Sequence, residues 1–242
     1  MTDLVPVHAP VRLAVRGAAG LADATFPVRR IYCIGRNFAE HAREMGAPVA
    51  TGTAARGTPV VFLKPADALV TDGEVRYPPG TADLHHEVEL IVALGTDAPL
   101  GVPDRAQAEA LVLGYGIGLD LTRRDLQAAA KAKGLPWDTG KSFDGCALAS
   151  ELHVRHALPA LHTLDLALEV DGEVRQHGKL ADLIWDVPDI LIELSRLYAL
   201  KAGDLVYMGT PAGVAALHPG QSFKATLGDG LIVLHGRVTP AR

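Results

Sequence analysis

Apolar residues along this chain fall mostly into short blocks with strand-like periodicity. Val11–Val15 alternates, and Ile31–Ile34 and Pro59–Leu63 are brief apolar runs. A longer block, His86-Glu-Val-Glu-Leu-Ile-Val-Ala-Leu94, is interrupted only by two glutamates, and Leu111–Asp120 is a glycine-spaced apolar run ending in aspartate. Leu164–Val170 and Glu173–Gln176 flank Asp171-Gly172, the dipeptide of a tight hairpin. Leu205–Met208, Phe223–Leu227 and Leu231–Val238 complete the predicted strands. Helical spacing is confined to a few segments. Asn37–Met45 has Asn37 as a cap, Glu40 at the capping-box position, and Gly46 and Pro48 as stops. Thr122–Lys133 has Thr122 as cap and Asp125 three residues on. A further helix follows Asp186 and Pro188, with Ile190, Leu191, Leu194, Leu197 and Tyr198 at helical spacing. Residues 50–58 read as a mobile loop.

Strands outnumber helices and do not alternate with them, which excludes a doubly wound parallel sheet. The expected fold class is mixed α+β and β-rich, a mixed or antiparallel sheet roll with a few short helices. Residues 1–28 read as a short N-terminal annex and residues 29–242 as one catalytic domain.

Glu87 and Glu89 share one face of their strand, because side chains alternate with a period of two, while Val88, Leu90 and Val92 point the other way. Two neighbouring desolvated carboxylates repel, and a divalent cation such as Mg²⁺, which prefers oxygen ligands, removes the conflict. Asp120, closing the glycine-spaced strand, is the candidate third ligand. The competing reading is a wet sheet face, on which alternating charge is ordinary.

His41 and Glu44 share a helix face at i,i+3, where a carboxylate orients an imidazole for general-base work. An exposed polar pair has the same spacing. Arg123 and Arg124 open a helix after Asp120. One of them could bind a substrate carboxylate bidentately, with Gln127 beside Arg124, or both could be surface charge. Lys141 and Thr210 lie in turn-rich segments, Gly-Lys-Ser-Phe-Asp and Met208-Gly-Thr-Pro-Ala-Gly-Val214. The second could present amides and a hydroxyl to an anion, and plain turns use the same residues. Gly114, Gly116 and Gly118 have the wrong spacing for a dinucleotide fingerprint. His153, His156 and His162 are too loosely spaced for a metal cluster, and His85 and His86 read as supporting or structural residues.

Basic residues number 23 and acidic ones 28, for a net charge of −5 with no basic stripe, which argues against nucleic-acid binding. Cys33 and Cys146 make no disulfide framework and fit a reducing compartment. There is no basic, apolar leader and no apolar run near the ~18 residues of a membrane span. A soluble cytoplasmic protein is expected, without membrane or nucleic-acid partners.

From about Ile31 onward the chain resembles the fumarylacetoacetate hydrolase superfamily. The stretches that carry the likeness are Gly35-Arg-Asn-Phe-Ala-Glu-His41, Phe62-Leu-Lys-Pro65, His86-Glu-Val-Glu-Leu90, Gly114-Tyr-Gly-Ile-Gly-Leu-Asp-Leu-Thr-Arg-Arg-Asp125, Gly134-Leu-Pro-Trp137, Lys141-Ser-Phe-Asp144 and Gly209-Thr-Pro-Ala-Gly213. The acylpyruvate hydrolase branch, which includes fumarylpyruvate hydrolase, is the nearest. The resemblance implies a mixed β-sandwich roll, a homodimer, and Mg²⁺ or Mn²⁺ held by Glu87, Glu89 and Asp120. It implies His41 and Glu44 as a catalytic dyad on a lid helix that orders over bound ligand, and Lys141 as the lysine near the metal. It places Arg36, Arg124, Gln127 and Thr210 against substrate. Arg123, Met208 and the run after Phe143 depart from the family pattern and bear on the acyl pocket.

The activity so implied is metal-assisted C–C hydrolysis of a small 2,4-dioxo acid, fumarylpyruvate to fumarate and pyruvate in gentisate-type aromatic breakdown. The alternatives are oxaloacetate decarboxylation, isomerisation of 2-hydroxyhepta-2,4-diene-1,7-dioate, and a catalytically inactive metal- or ligand-binding relative.

Overall fold

Every residue of the strand Val88–Leu94 is buried, as a strand covered on both faces requires. Its side chains sort by parity. Val88, Leu90, Val92 and Leu94 enter one hydrophobic core, and Ile91 and Ala93 enter a second on the opposite face. The computed structural model describes residues 4–6, 8–17, 23–44 and 56–241.

The strand is central in a mixed sheet of ten. Eight run in the order Thr25–Pro27, Arg12–Arg16, Leu152–Val154, Val112–Asp120, Val88–Leu94, Asp204–Tyr207, Arg30–Gly35, Val60–Lys64. Ala147–Ala149 also pairs with Val112–Asp120, and it carries Leu69–Val70 beside it. The N-terminal strand Arg12–Arg16 joins Leu152–Val154 in parallel and so extends the sheet. A second sheet of five, Glu173–Lys179, Asp165–Val170, Ser222–Leu227, Ile232–Thr239 and Glu74–Arg76, supplies Leu166, Leu168, Ala225 and Leu234 to the first core. The helix Val187–Leu197 supplies Ile190, Leu191 and Leu194 to the same core. This is the strand-rich α+β roll expected from the sequence.

Local chemistry explains most element ends. Asp171 and Gly172 take φ of 51° and 82°, the left-handed pair of a tight hairpin turn, and join their two strands antiparallel. Asp186 caps its helix by accepting from the Asp189 amide at 3.1 Å. Two expected caps are corrected. Asn37 does not cap the helix Ala39–Glu44. Its amide donates to the carbonyls of Met208 at 2.7 Å and Trp185 at 2.9 Å, and its Oδ1 accepts from the Trp185 amide. Thr122 pairs in a short strand with His85, and the helix runs Arg124–Ala132 without a side-chain cap. Asp125 accepts instead from the Thr81 hydroxyl and the Ala82 amide. In both places a buried polar group that must be satisfied outweighs a cap worth about 1 kcal/mol. Met45, Gly46, Pro48 and residues 50–55 of the expected loop lie outside the described residues.

Cys33 and Cys146 are buried free thiols. Among the described residues no helix is long and apolar enough to cross a membrane.

Gly118 pairs with Glu89 across the two central strands. A Cβ there would stand 2.1 Å from the Leu148 carbonyl oxygen and 2.6 Å from Ile91 Cδ1. The backbone contact cannot rotate away, so Gly118→Ala should cost about 1–3 kcal/mol of stability. Urea denaturation would check this, and an unchanged midpoint would refute it.

Candidate active site

The face shared by Glu87 and Glu89 is not wet. The residues are 5% and 2% exposed, and Asp120 is 1% exposed. Register brings the three together. Asp120 ends the strand that pairs with Val88–Leu94, and its amide donates to the Glu87 carbonyl at 2.8 Å. One carboxylate oxygen from each residue lies within 4.8 Å of the others, the single such group among the described residues. The opposite parity of Ile117 and Leu119, which point into the first core, turns Gly118 and Asp120 toward the glutamates.

Three cations surround this cluster. Lys64, fully buried, places Nζ 2.7 Å from Asp120 Oδ1. Lys141 Nζ donates to Glu87 at 2.8 Å, Asp120 at 2.7 Å and the Thr122 hydroxyl at 2.7 Å, which uses all three of its protons. Lys141 ends the short helix Asp138–Lys141 rather than lying in an open loop. Arg124 donates to Glu87 Oε1 at 2.5 Å and to Gln127 Oε1 at 2.5 Å. Arg123 turns away, with its guanidinium stacked 4.3 Å from the Phe143 ring centre.

The carboxylates are therefore unequal. Burial pushes the Glu87 pKa up, but Lys141, Arg124 and His41 outweigh it and hold Glu87 well below the usual carboxylate range. Among the described residues Glu89 has only the Gly209 amide, at 2.7 Å, as hydrogen-bond partner. Burial, then the charges of Asp120 and Glu87, push it well above that range. Burial works against the Lys64 charge, yet Asp120 keeps that lysine above its ordinary value.

An oxygen-only donor set, buried and convergent, with one carboxylate short of positive charge, fits a hard divalent cation. Glu87, Glu89 and Asp120 are the residues able to hold it.

A cleft opens above the cluster. His41 lines it, 6% exposed, with Nδ1 3.2 Å from Glu44 Oε2. Glu44 in turn accepts from the Gly213 amide at 3.3 Å. The dyad is thus tied to the Gly209–Gly213 loop, with the imidazole buried and the Glu44 carboxylate exposed. Arg36, Arg124, Gln127 and Thr210 also line the cleft, so all ten candidate residues except Glu44 face it directly. Thr210 accepts from Gln176 Nε2 at 2.8 Å. Gln176 Oε1 meets His86 Nδ1 at 2.8 Å, and burial lowers the His86 pKa to about 4, so the ring is neutral at ordinary pH and Nδ1 donates.

Sequence reasoning missed Lys64, Gln176, Lys131 and Trp137. Lys64 carried a faint signal, as a charged residue ending an otherwise apolar strand just before Pro65. Gln176 carried none, being the one buried residue among exposed neighbours in Glu173–Lys179 apart from half-buried Gly178. Lys131 lies within the expected helix Thr122–Lys133 and Trp137 within the stretch Gly134-Leu-Pro-Trp137, and neither was singled out for the site.

Residues 30–239 match the family model described as fumarylacetoacetate (FAA) hydrolase, C-terminal. The crystal structure of fumarylpyruvate hydrolase from Pseudomonas aeruginosa, in complex with Mn²⁺ and pyruvate, is 41% identical. It superposes with a TM-score of 0.89 over 99% of this chain and 100% of that one. The mitochondrial oxaloacetate tautomerase FAHD1 of Rattus norvegicus is 39% identical over 211 residues, 87% of this chain and 91% of that protein. The mitochondrial oxaloacetate decarboxylase of Dictyostelium discoideum is 36% identical over 198 residues, 81% of this chain and 87% of that protein.

Proposed function

The chain belongs to the fumarylacetoacetate hydrolase family, and we propose that within it the protein is a divalent-metal-dependent hydrolase that cleaves fumarylpyruvate to fumarate and pyruvate. The observation that carries this reading is His41, bonded to Glu44, lining the same cleft as the three carboxylates. The end-to-end likeness to a fumarylpyruvate hydrolase supports it.

When bound, the divalent ion supplies Lewis acidity and an anchor for the 2-oxo acid end of the substrate. Glu44 accepts from His41 Nδ1–H, which leaves Nε2 as the base. Nε2 takes a proton from a water, and the resulting hydroxide adds to the C4 carbonyl. The C3–C4 bond breaks, its electron pair stays on C3, and the imidazolium returns the proton there. Fumarate and pyruvate leave, with one water consumed. Lys141 and Lys64 hold Glu87 and Asp120 in place and balance their charge, because the Lys141 donors are already spent on its neighbours. The Thr210 hydroxyl, which accepts from Gln176, keeps its proton for a substrate oxygen.

Oxaloacetate chemistry, tautomerisation or decarboxylation, is the second reading, supported by the names of the curated relatives. Neither reaction needs an activated water. Decarboxylation therefore has less use for a histidine base, whereas tautomerisation, which moves a proton between C3 and the enol oxygen, could use His41, so substrate turnover and not the dyad separates it from hydrolysis. Steady-state loss of enol absorbance separates the readings. Fumarylpyruvate, acetylpyruvate and oxaloacetate would be run with Mg²⁺, with Mn²⁺ and after EDTA. Release of pyruvate from fumarylpyruvate that EDTA abolishes is the expected result. Turnover of oxaloacetate alone would replace the hydrolase with the second reading.

A further inference from the structure

Most charged groups in the cleft are paired, but Arg36 and Lys131 are not. Arg124 is taken by Glu87 and Gln127, and Lys141 by Glu87, Asp120 and Thr122. Arg36 and Lys131 have no carboxylate or hydrogen-bond acceptor among the described residues. The Lys131 ammonium lies over the Trp137 ring, whose centre is 4.9 Å from Nζ.

Their backbones are fixed. Arg36 sits at φ 61°, in the left-handed region that non-glycine residues avoid. It is held there by the neighbouring Asn37, whose side chain is bonded to Met208 and Trp185. Lys131 lies in the last turn of Arg124–Ala132, on the same helix as Arg124 and Gln127. Both line the cleft with Ile34, Phe62 and Trp137, and neither makes an ion pair with Glu87, Glu89 or Asp120, which line it too. A strained arginine and a half-buried lysine that line one cleft repel each other, and an anion bound between them would relieve that repulsion. The Lys131 pKa agrees, lowered to about 8 by burial and then by the charges of Arg124 and Arg36.

We propose that Arg36 and Lys131 form a second anion subsite that binds a carboxylate at the acyl end of the substrate, so that the cleft selects dicarboxylic over monocarboxylic 2-oxo acids of equal length. Trp137 holds the Lys131 ammonium by cation–π contact, and the apolar wall of Ile34 and Phe62 covers the intervening carbons. Lys131 is thereby a specificity-determining residue, a role that rests on the acylpyruvate reading.

The test is binding, not turnover. The Mn²⁺-loaded full chain would be titrated calorimetrically with 2-oxoheptanedioate and with 2-oxoheptanoate, which differ only in the terminal carboxylate. Wild type should prefer the diacid by about tenfold or more, the scale of a charge-assisted contact. Lys131→Met and Arg36→Gln should each lose most of that preference, and Lys131→Arg should retain it. The readout is a ratio of two affinities on one protein, so partial misfolding of a variant does not move it. Equal binding of the two acids by wild type, or a preference that survives in both charge-removing variants, would overturn the subsite. An intact preference in a protein that leaves fumarylpyruvate uncleaved would support the subsite and count against the hydrolase.

Discussion

His41→Ala should lower fumarylpyruvate turnover by about 10²–10⁴-fold, the range for losing a positioned general base, while affinity for Mn²⁺ changes little. The geometry separates the two effects. The imidazole bonds to Glu44, and Glu44 to the Gly213 amide, and among the described residues His41 makes no bond to Glu87, Glu89 or Asp120. Those three carboxylates are held by Lys64, Lys141, Arg124 and Gly209, and none of these bonds is made by a residue of the Ala39–Glu44 helix. Glu44→Gln should cost less than His41→Ala, because it weakens the orientation of the ring and leaves the base in place. Steady-state kinetics with a parallel Mn²⁺ titration would check both. Wild-type turnover in His41→Ala would remove the dyad from the mechanism. A smaller loss of oxaloacetate decarboxylation than of hydrolysis would show that the histidine acts on water.

The carboxylate cluster was legible in the sequence because it rests on the two most reliable local rules. A strand period of two put Glu87 and Glu89 on one face, and the glycine-spaced run ended at Asp120. The choice between a wet face and a buried site was not local. It is decided by the central place of Val88–Leu94 and by a second core, with Tyr207, Ile91 and Ala93, on the glutamate side. The unbroken apolar run after Glu89 hinted at burial on both faces. The missed residues share one cause. Lys64 reaches Asp120 from a strand 56 positions earlier in the chain, and Gln176 reaches Thr210 from the other sheet. No spacing rule spans such distances. Asn37 and Thr122 were misassigned for the opposite reason. Each has a local use as a cap, and each is claimed by a buried tertiary partner whose loss would cost more.

Glu89→Gln should make the metal-free protein more stable and the enzyme inactive. Glu89 is buried beside Asp120 and Glu87, and burial and those charges raise its pKa well above the ordinary 4.5. A carboxyl with a raised folded-state pKa holds its proton more tightly when folded. That contribution is fully present below the unfolded pKa and is lost as pH rises through the folded one. Metal-free wild type therefore gives up stability as pH climbs above about 4.5, whereas glutamine, which cannot ionise, does not. The variant should melt a few degrees higher at alkaline pH, at roughly 2–4 °C per kcal/mol for a chain of this size, with the gap closing toward acid. Its amide can still accept from the Gly209 amide, so the loop is kept. Metal affinity should fall by more than the ~10–100-fold that loss of a partner beside a metal ligand costs, and turnover with it. Added Mn²⁺ should stabilise wild type and reverse the order of the two melting temperatures. Melting curves from acid to alkaline pH, with and without Mn²⁺, would read all of this. A variant less stable than metal-free wild type at every pH would mean that Glu89 is held charged by partners strong enough to offset Asp120 and Glu87. The carboxylates would then carry no unmet charge for a cation to relieve.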